Sequence, residues 1–292
     1  MNKKELAQFI RENIPFYLTG LLLIFFMKYY YSRAGAGQLL WLLAPTSGWV
    51  SILSGISFEY MPNIGYVNHD MKILIAPSCS GMQFMLITAA MLLFSFVHLA
   101  AGDSGIGHPW KSAATSGRTP APHSRKAAVP DSRTPAPHSQ KAALRNGFLW
   151  IGMCLVLSYI FTIFVNGLRI IAAIYLPLLF ERLGLFGGFL TPDSLHTLIG
   201  TAVYFAALLT LYRLTGSLLG KTAGEPLLHR CLPPIFWYFF IVLGIPFLNR
   251  AYVKNGERFV TFAAMVAACC GGILLLYCAG TLLRKSHSHP KH

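Results

Sequence analysis

Three residues of this chain carry side chains suited to breaking a peptide bond, and each stands at the edge of an apolar run. Cys79 lies in Pro77-Ser78-Cys79-Ser80-Gly81, just ahead of a long apolar stretch. The N–H groups at a helix start favour a thiolate, the form that attacks a carbonyl to give a thioester. Arg169 lies in Asn166-Gly167-Leu168-Arg169, with apolar sequence on both sides. An Arg deep in hydrocarbon costs at least ~2.5–3.5 kcal/mol on insertion scales. It therefore needs a partner, an interfacial depth or a function. Its function would be to orient a substrate or to stabilise the oxyanion of a tetrahedral intermediate. His196 opens His196-Thr197-Leu198-Ile199-Gly200, directly after Thr191-Pro192-Asp193-Ser194. Asp193 is a candidate helix cap there. The imidazole would activate Cys79 or protonate a departing amine. Each residue also has a plainer reading: Cys79 as a small hydrophobe, Arg169 as a snorkelling cation, and His196 as a polar helix end.

The elements that must position these residues are membrane helices. Of 292 residues, 54% are hydrophobic and 12% charged, against about 25% charged in an ordinary soluble domain. The apolar residues gather into runs over residues 14–31, 39–56, 82–101, 148–165, 168–180, 195–214, 233–248 and 259–283. The expected fold is an all-α polytopic bundle of about six to eight membrane segments, some interfacial or re-entrant. The first run resembles a signal peptide, but its apolar core is longer than usual, so it reads as an uncleaved helix. Residues 168–180 are too few to span alone, at ~1.5 Å per residue against a ~30 Å hydrocarbon core.

The net charge of +14 does not point to nucleic acid, because no basic face with interleaved aromatics occurs. The basic residues instead report orientation. They cluster at the N-terminus (Lys3, Lys4, Arg11), between residues 102 and 146, after residue 214 (Lys221, Arg230) and at the C-terminus (Arg284, Lys285, Lys291). Placing all four segments in the cytoplasm puts Cys79, Arg169 and His196 together at the outer face. It also requires residues 39–56 and 168–180 to be interfacial, re-entrant or joined to a neighbour.

Four regions follow: 1–101 with the Cys motif, 102–146 as an insertion, 147–214 with the Arg and His motifs, and 215–292 without an assigned role. The insertion holds a near-perfect tandem repeat, RTPAPHSRKAA at 118–128 and RTPAPHSQKAA at 133–143. Its composition cannot build a core, so it reads as a disordered cytoplasmic segment. His108, His123 and His138 are spaced too widely in it for a defined metal site. The other cysteines, Cys154, Cys231, Cys269, Cys270 and Cys278, show neither a disulfide framework nor a zinc spacing.

At these motifs the chain resembles the exosortase/archaeosortase family, with Pro77–Phe84 (PSCSGMQF) most like the exosortase K subgroup. That family has a Cys in a C-[SA]-G setting before a membrane helix, an Arg in N-x-x-R at a helix junction, and a His opening a later helix, with a Gly four residues on. The resemblance covers roughly residues 14–214. It implies a membrane-embedded cysteine protease and transpeptidase of the prokaryotic cytoplasmic membrane. Its substrates would be exported proteins that end in a short motif, a transmembrane helix and a basic tail. It implies catalytic roles for Cys79, Arg169 and His196, support from Asn166, Ser80 and Gly81, and no metal or organic cofactor. Asn166 would support a helix break near Arg169. Rival readings are a transporter, since intramembrane Arg and His suit a transport pathway, and a non-catalytic membrane component of surface polysaccharide or protein export.

Overall fold

The computed structural model describes residues 3–101, 137–185, 187, 190–219 and 227–287. Most of the tandem repeat, with His108 and His123, lies outside the described residues.

Helices dominate. They are α1 (Lys3–Tyr31), α2 (Leu40–Ser54), α3 (Met82–Ala101), α4 (Pro137–Arg182), α5 (Pro192–Leu218), α6 (Leu227–Phe239), the single turns α7 (Ile245–Leu248) and α8 (Ala251–Lys254), and α9 (Gly256–His287). Five residues between α6 and α7, Phe240–Gly244, wind as a π-helix. Among the described residues six helical stretches are long and apolar enough to cross a membrane, with α6 to α7 counting as one. The chain is a multi-pass membrane protein. Exposed Leu18, Leu21, Leu22, Phe25 and Phe26 on α1, and Leu275 and Leu276 on α9, are apolar surface of the kind that faces lipid.

α3 is the spine of the bundle. Its Phe84, Ile87, Met91, Leu92 and Phe96 are buried among Trp150 and Cys154 of α4, Phe205, Leu208 and Tyr212 of α5, Tyr238 of α6 and Cys270 of α9. The ring of Phe84 stacks on Tyr204 with centroids 4.4 Å apart. α2 has fifteen residues, about 22 Å of helix, and falls short of the hydrocarbon thickness. It ends on Gly55 at φ +72°, a left-handed closure that glycine adopts without strain.

The structure corrects the sequence reading in two places. Residues 148–165 and 168–180 are not two segments but parts of one unbroken helix, α4, so there is no helix break for Asn166 to support. α4 also begins at Pro137, inside the stretch read as a disordered insertion, so that stretch gives way to helix ten residues earlier. The all-α bundle expected from the sequence is what forms, and it carries one small sheet among the described residues. Strands β1 (Glu59–Met61), β2 (Gly65–Asn68) and β3 (Ile73–Ile75) form an antiparallel meander in that order, with Tyr60 opposite Tyr66 and Val67 opposite Leu74. Asn63 at φ +65° and Gly65 at φ +130° make the first turn. The second is pinned by buried Asn68, which donates to Ser57 O at 2.8 Å and accepts from Met71 N at 2.7 Å. Ile75 packs with Leu39, Leu43 and Val50 from the α2 region and Ile170 of α4, which fastens the sheet beside Cys79.

Candidate active site

Cys79 is carried on a short turn. Ala76 is extended, Pro77 opens one turn of 3₁₀-helix through Cys79, and Cys79 N donates to Ala76 O at 2.8 Å. α3 begins only at Met82, so Cys79 precedes the helix start instead of lying in its first turn. Ser80 is fully buried, and its hydroxyl accepts weakly from Met82 N at 3.4 Å. Gly81 sits at φ +79°, and a Cβ there would lie 2.9 Å from Asn166 Cγ. Glycine is required on both counts: the left-handed backbone and the close approach.

Asn166 is the tie across the site. It is fully buried on α4, where a lone amide would be costly. Its Nδ2 donates to Cys79 O at 2.7 Å, and its Oδ1 accepts from the Tyr204 hydroxyl at 2.6 Å. The turn that carries Cys79 is thereby fixed to both α4 and α5. Next to it, Gly167 lies against Trp49 of α2, whose indole occupies the space a side chain would need.

Arg169 follows Asn166 by three residues, on the same face of α4. Its Nη2 lies 2.8 Å from His196 Nε2, and its guanidinium carbon is 5.5 Å from the centroid of the Tyr204 ring. Arg169 Nε is buried without a hydrogen-bond partner. Gly200 leaves room for it, since a Cβ there would come within 3.3 Å of that nitrogen. Among the described residues no carboxylate pairs with Arg169. Its charge is held by an imidazole and an aromatic face.

His196 is exposed, in the first turn of α5. The cap of that helix is Thr191, not Asp193. Thr191 Oγ1 accepts from Ser194 N at 3.2 Å, and Ser194 Oγ accepts from Thr191 N at 2.8 Å, a reciprocal capping box. Asp193 lies inside the first turn, where its charge suits the helix dipole.

Cys79, Arg169 and His196 line one cavity of about 340 Å³, together with β3 and with Ile170, Ala173, Ile174 and Leu178 of α4. Among the described residues the Cys79 thiol makes no hydrogen bond, so its sulfur is not engaged by His196. A second, smaller cavity of about 190 Å³ also touches Arg169 and His196, and runs on past Thr201, Tyr204, Tyr238, Val242 and Phe262. The Arg169–His196 pair thus stands between two spaces. The second of them gives α6, the π-helical turn and α9 a place at the site, which their sequence did not reveal.

Tyr204 is the site residue that the sequence reading missed. It falls in a four-residue row with His196 and Gly200, which is one face of α5. That spacing was the available signal. The remaining cysteines are all free, and Cys154, Cys231 and Cys270 are buried among apolar side chains. Among the described residues no three of His, Cys, Asp and Glu gather closely enough to hold a metal ion. No protein-family model matches the chain, and no curated protein and no solved structure matches it either.

Proposed function

We propose that the chain is a membrane-embedded cysteine peptidase and transpeptidase of exosortase type, which cleaves C-terminal sorting signals of exported proteins at the outer face of a prokaryotic cytoplasmic membrane. One observation carries the proposal: a thiol, a guanidinium and an imidazole from three distant parts of the sequence border a single cavity.

The chemistry follows from what each group can give. Cys79 Sγ attacks the substrate carbonyl carbon while His196 takes the thiol proton. Arg169 donates to the oxyanion of the tetrahedral intermediate. The intermediate collapses with cleavage of the C–N bond, and the imidazolium returns its proton to the departing amine. The resulting thioester is opened by an acceptor amine or by water, which yields its proton to His196 and restores the thiol. The second cavity offers that acceptor an approach separate from the peptide's.

The side of the membrane is argued from charge and length. Six crossings return the C-terminus to the side of the N-terminus. With the basic segments cytoplasmic, α1 ends outside, and α3 and α5 begin there. From Arg145 to Asn166, α4 rises roughly 30 Å, one hydrocarbon thickness, which supports an outer-interface depth for Arg169.

The test is processing in the cell of origin. Exported proteins ending in an apolar helix and a basic tail are compared between the native chain and Cys79→Ala. Such proteins should keep their tails in the variant, with the variant still inserted at native level. Tail removal that continues without Cys79 would end the peptidase reading. The polar groups of the second cavity favour transport as the alternative. Solute flux in proteoliposomes that persists in Cys79→Ala would then be the expected result.

A further inference from the structure

Among the described residues a single sheet occurs; it lies beside the thiol, and β3 is one of its two edge strands. The strand order is β1-β2-β3, so β2 is paired on both sides while β3 is paired on one. Successive side chains of a strand point to opposite faces of the sheet. Yet Ile73, Leu74 and Ile75, three residues in a row, all border the cavity that holds Cys79, Arg169 and His196. Residues from both faces of the strand border that space, as they do where a space runs along a strand's edge. Among the described residues the outer edge of β3 has no strand partner, and this edge borders the cavity. Ile170, Ala173, Ile174 and Leu178 of α4 line the same cavity as apolar wall, together with Cys79, Arg169 and His196.

Such an edge presents N–H and C=O groups with no partner in the sheet. A lipid chain would fill the apolar wall and leave those groups unmatched. A helix satisfies its own backbone and has nothing to offer them. An extended peptide matches both walls: its backbone pairs with the strand, and its alternate side chains reach the apolar helix.

We propose that β3 is the docking strand for the substrate. An extended segment of the sorting signal adds to the sheet as a fourth strand, lays an apolar side chain against Ala173 and Ile174, and delivers its carbonyl to Cys79. β3 has three residues, so the paired segment is about three residues long, ~10 Å. This inference rests on the peptidase reading above and specifies how its substrate is held.

The experiment uses the full-length protein in proteoliposomes and an acetyl-Leu-Val-Leu peptide ending in a vinyl sulfone. Alkylation of Cys79 is followed by intact mass spectrometry. A set of the same peptide carries one N-methyl group at each amide in turn. Removing a backbone hydrogen bond should slow labelling about tenfold, at alternate amides and not at the ones between. Ala173→Trp, which narrows the cleft from the α4 side, should slow peptide labelling far more than it slows alkylation by the smaller iodoacetamide. Peptide labelling that is indifferent to N-methylation would overturn strand docking and leave the peptidase reading standing. If iodoacetamide modifies Cys79 and no peptide does, the peptidase reading falls and takes the docking strand with it.

Discussion

Arg169 donates from Nη2 to Nε2 of His196 across 2.8 Å, joining α4 to the first turn of α5. A guanidinium has only donors, so this bond forms only when Nε2 is bare and the imidazole is neutral, with its proton on Nδ1. In this arrangement the cation covers the ring nitrogen that a base would use. In the peptidase proposed above, a substrate carbonyl that drew the guanidinium toward itself would uncover the base at the moment it is needed.

Arg169→Lys tests that exchange. Lysine keeps the charge but lacks the planar fork that reaches two acceptors. Processing should fall by about 10²–10³, the usual loss for one oxyanion donor. Rates measured on a substrate tail in proteoliposomes would check this, and a rate equal to the native one would remove Arg169 from the chemistry.

His196→Gln separates positioning from proton transfer. The glutamine carbonyl can still accept from Arg169, so the pair persists while the base is lost. Turnover should drop by about 10²–10⁴, with the elution profile of the purified protein unchanged. Retained turnover would show that another group moves the proton.

The bridge from Cys79 O through Asn166 to Tyr204 can be weighed by a double-mutant cycle. Asn166→Ala leaves a buried carbonyl and a hydroxyl without their partner and should cost about 1–3 kcal/mol of stability. Tyr204→Phe should cost less alone, and a coupling of roughly 0.5–3 kcal/mol is expected between the two. Thermal unfolding in detergent reads both. Strict additivity would mean the bridge is not formed in solution.

Gly81→Ala combines a strained backbone with a collision against Asn166. A loss of ~1–3 kcal/mol is expected from the left-handed conformation alone. Alkylation of Cys79 by a small reagent should change with it, because the turn must move. Native stability and native alkylation in this variant would contradict the geometry of the turn.

Excision of residues 104–134 should leave processing and insertion unchanged. Those residues precede α4, and the cavity's lining among the described residues comes from other segments. Loss of activity on excision, with the helices still inserted, would assign the repeat a role.

Much of this was legible in the sequence because a membrane imposes long apolar segments, and an Arg between such segments demands a reason. Cys79, Arg169 and His196 were singled out at the ends of such segments, and they border one cavity. The sheet was not, since strands of three and four residues are too short for their alternation to register. The continuity of α4 was hidden by Asn166 and Gly167, residue types that usually interrupt helices. In the structure the amide is spent on Cys79 and Tyr204, and the glycine on Trp49. Thr191 lost the capping role to Asp193 on paper because both residue types cap helices, and only the Ser194 bonds decide between them.

Bilayers differ in thickness between species and growth conditions, and helices answer by tilting. A nucleophile on one helix and its partners on two others would drift apart under such tilts. Here the backbone that carries the sulfur is moored to the helix that carries the cation, one turn below it, and that helix is moored to the one that carries the imidazole. The three groups must travel as a unit, so the reaction should tolerate lipids of unequal length better than a site assembled from independent spans.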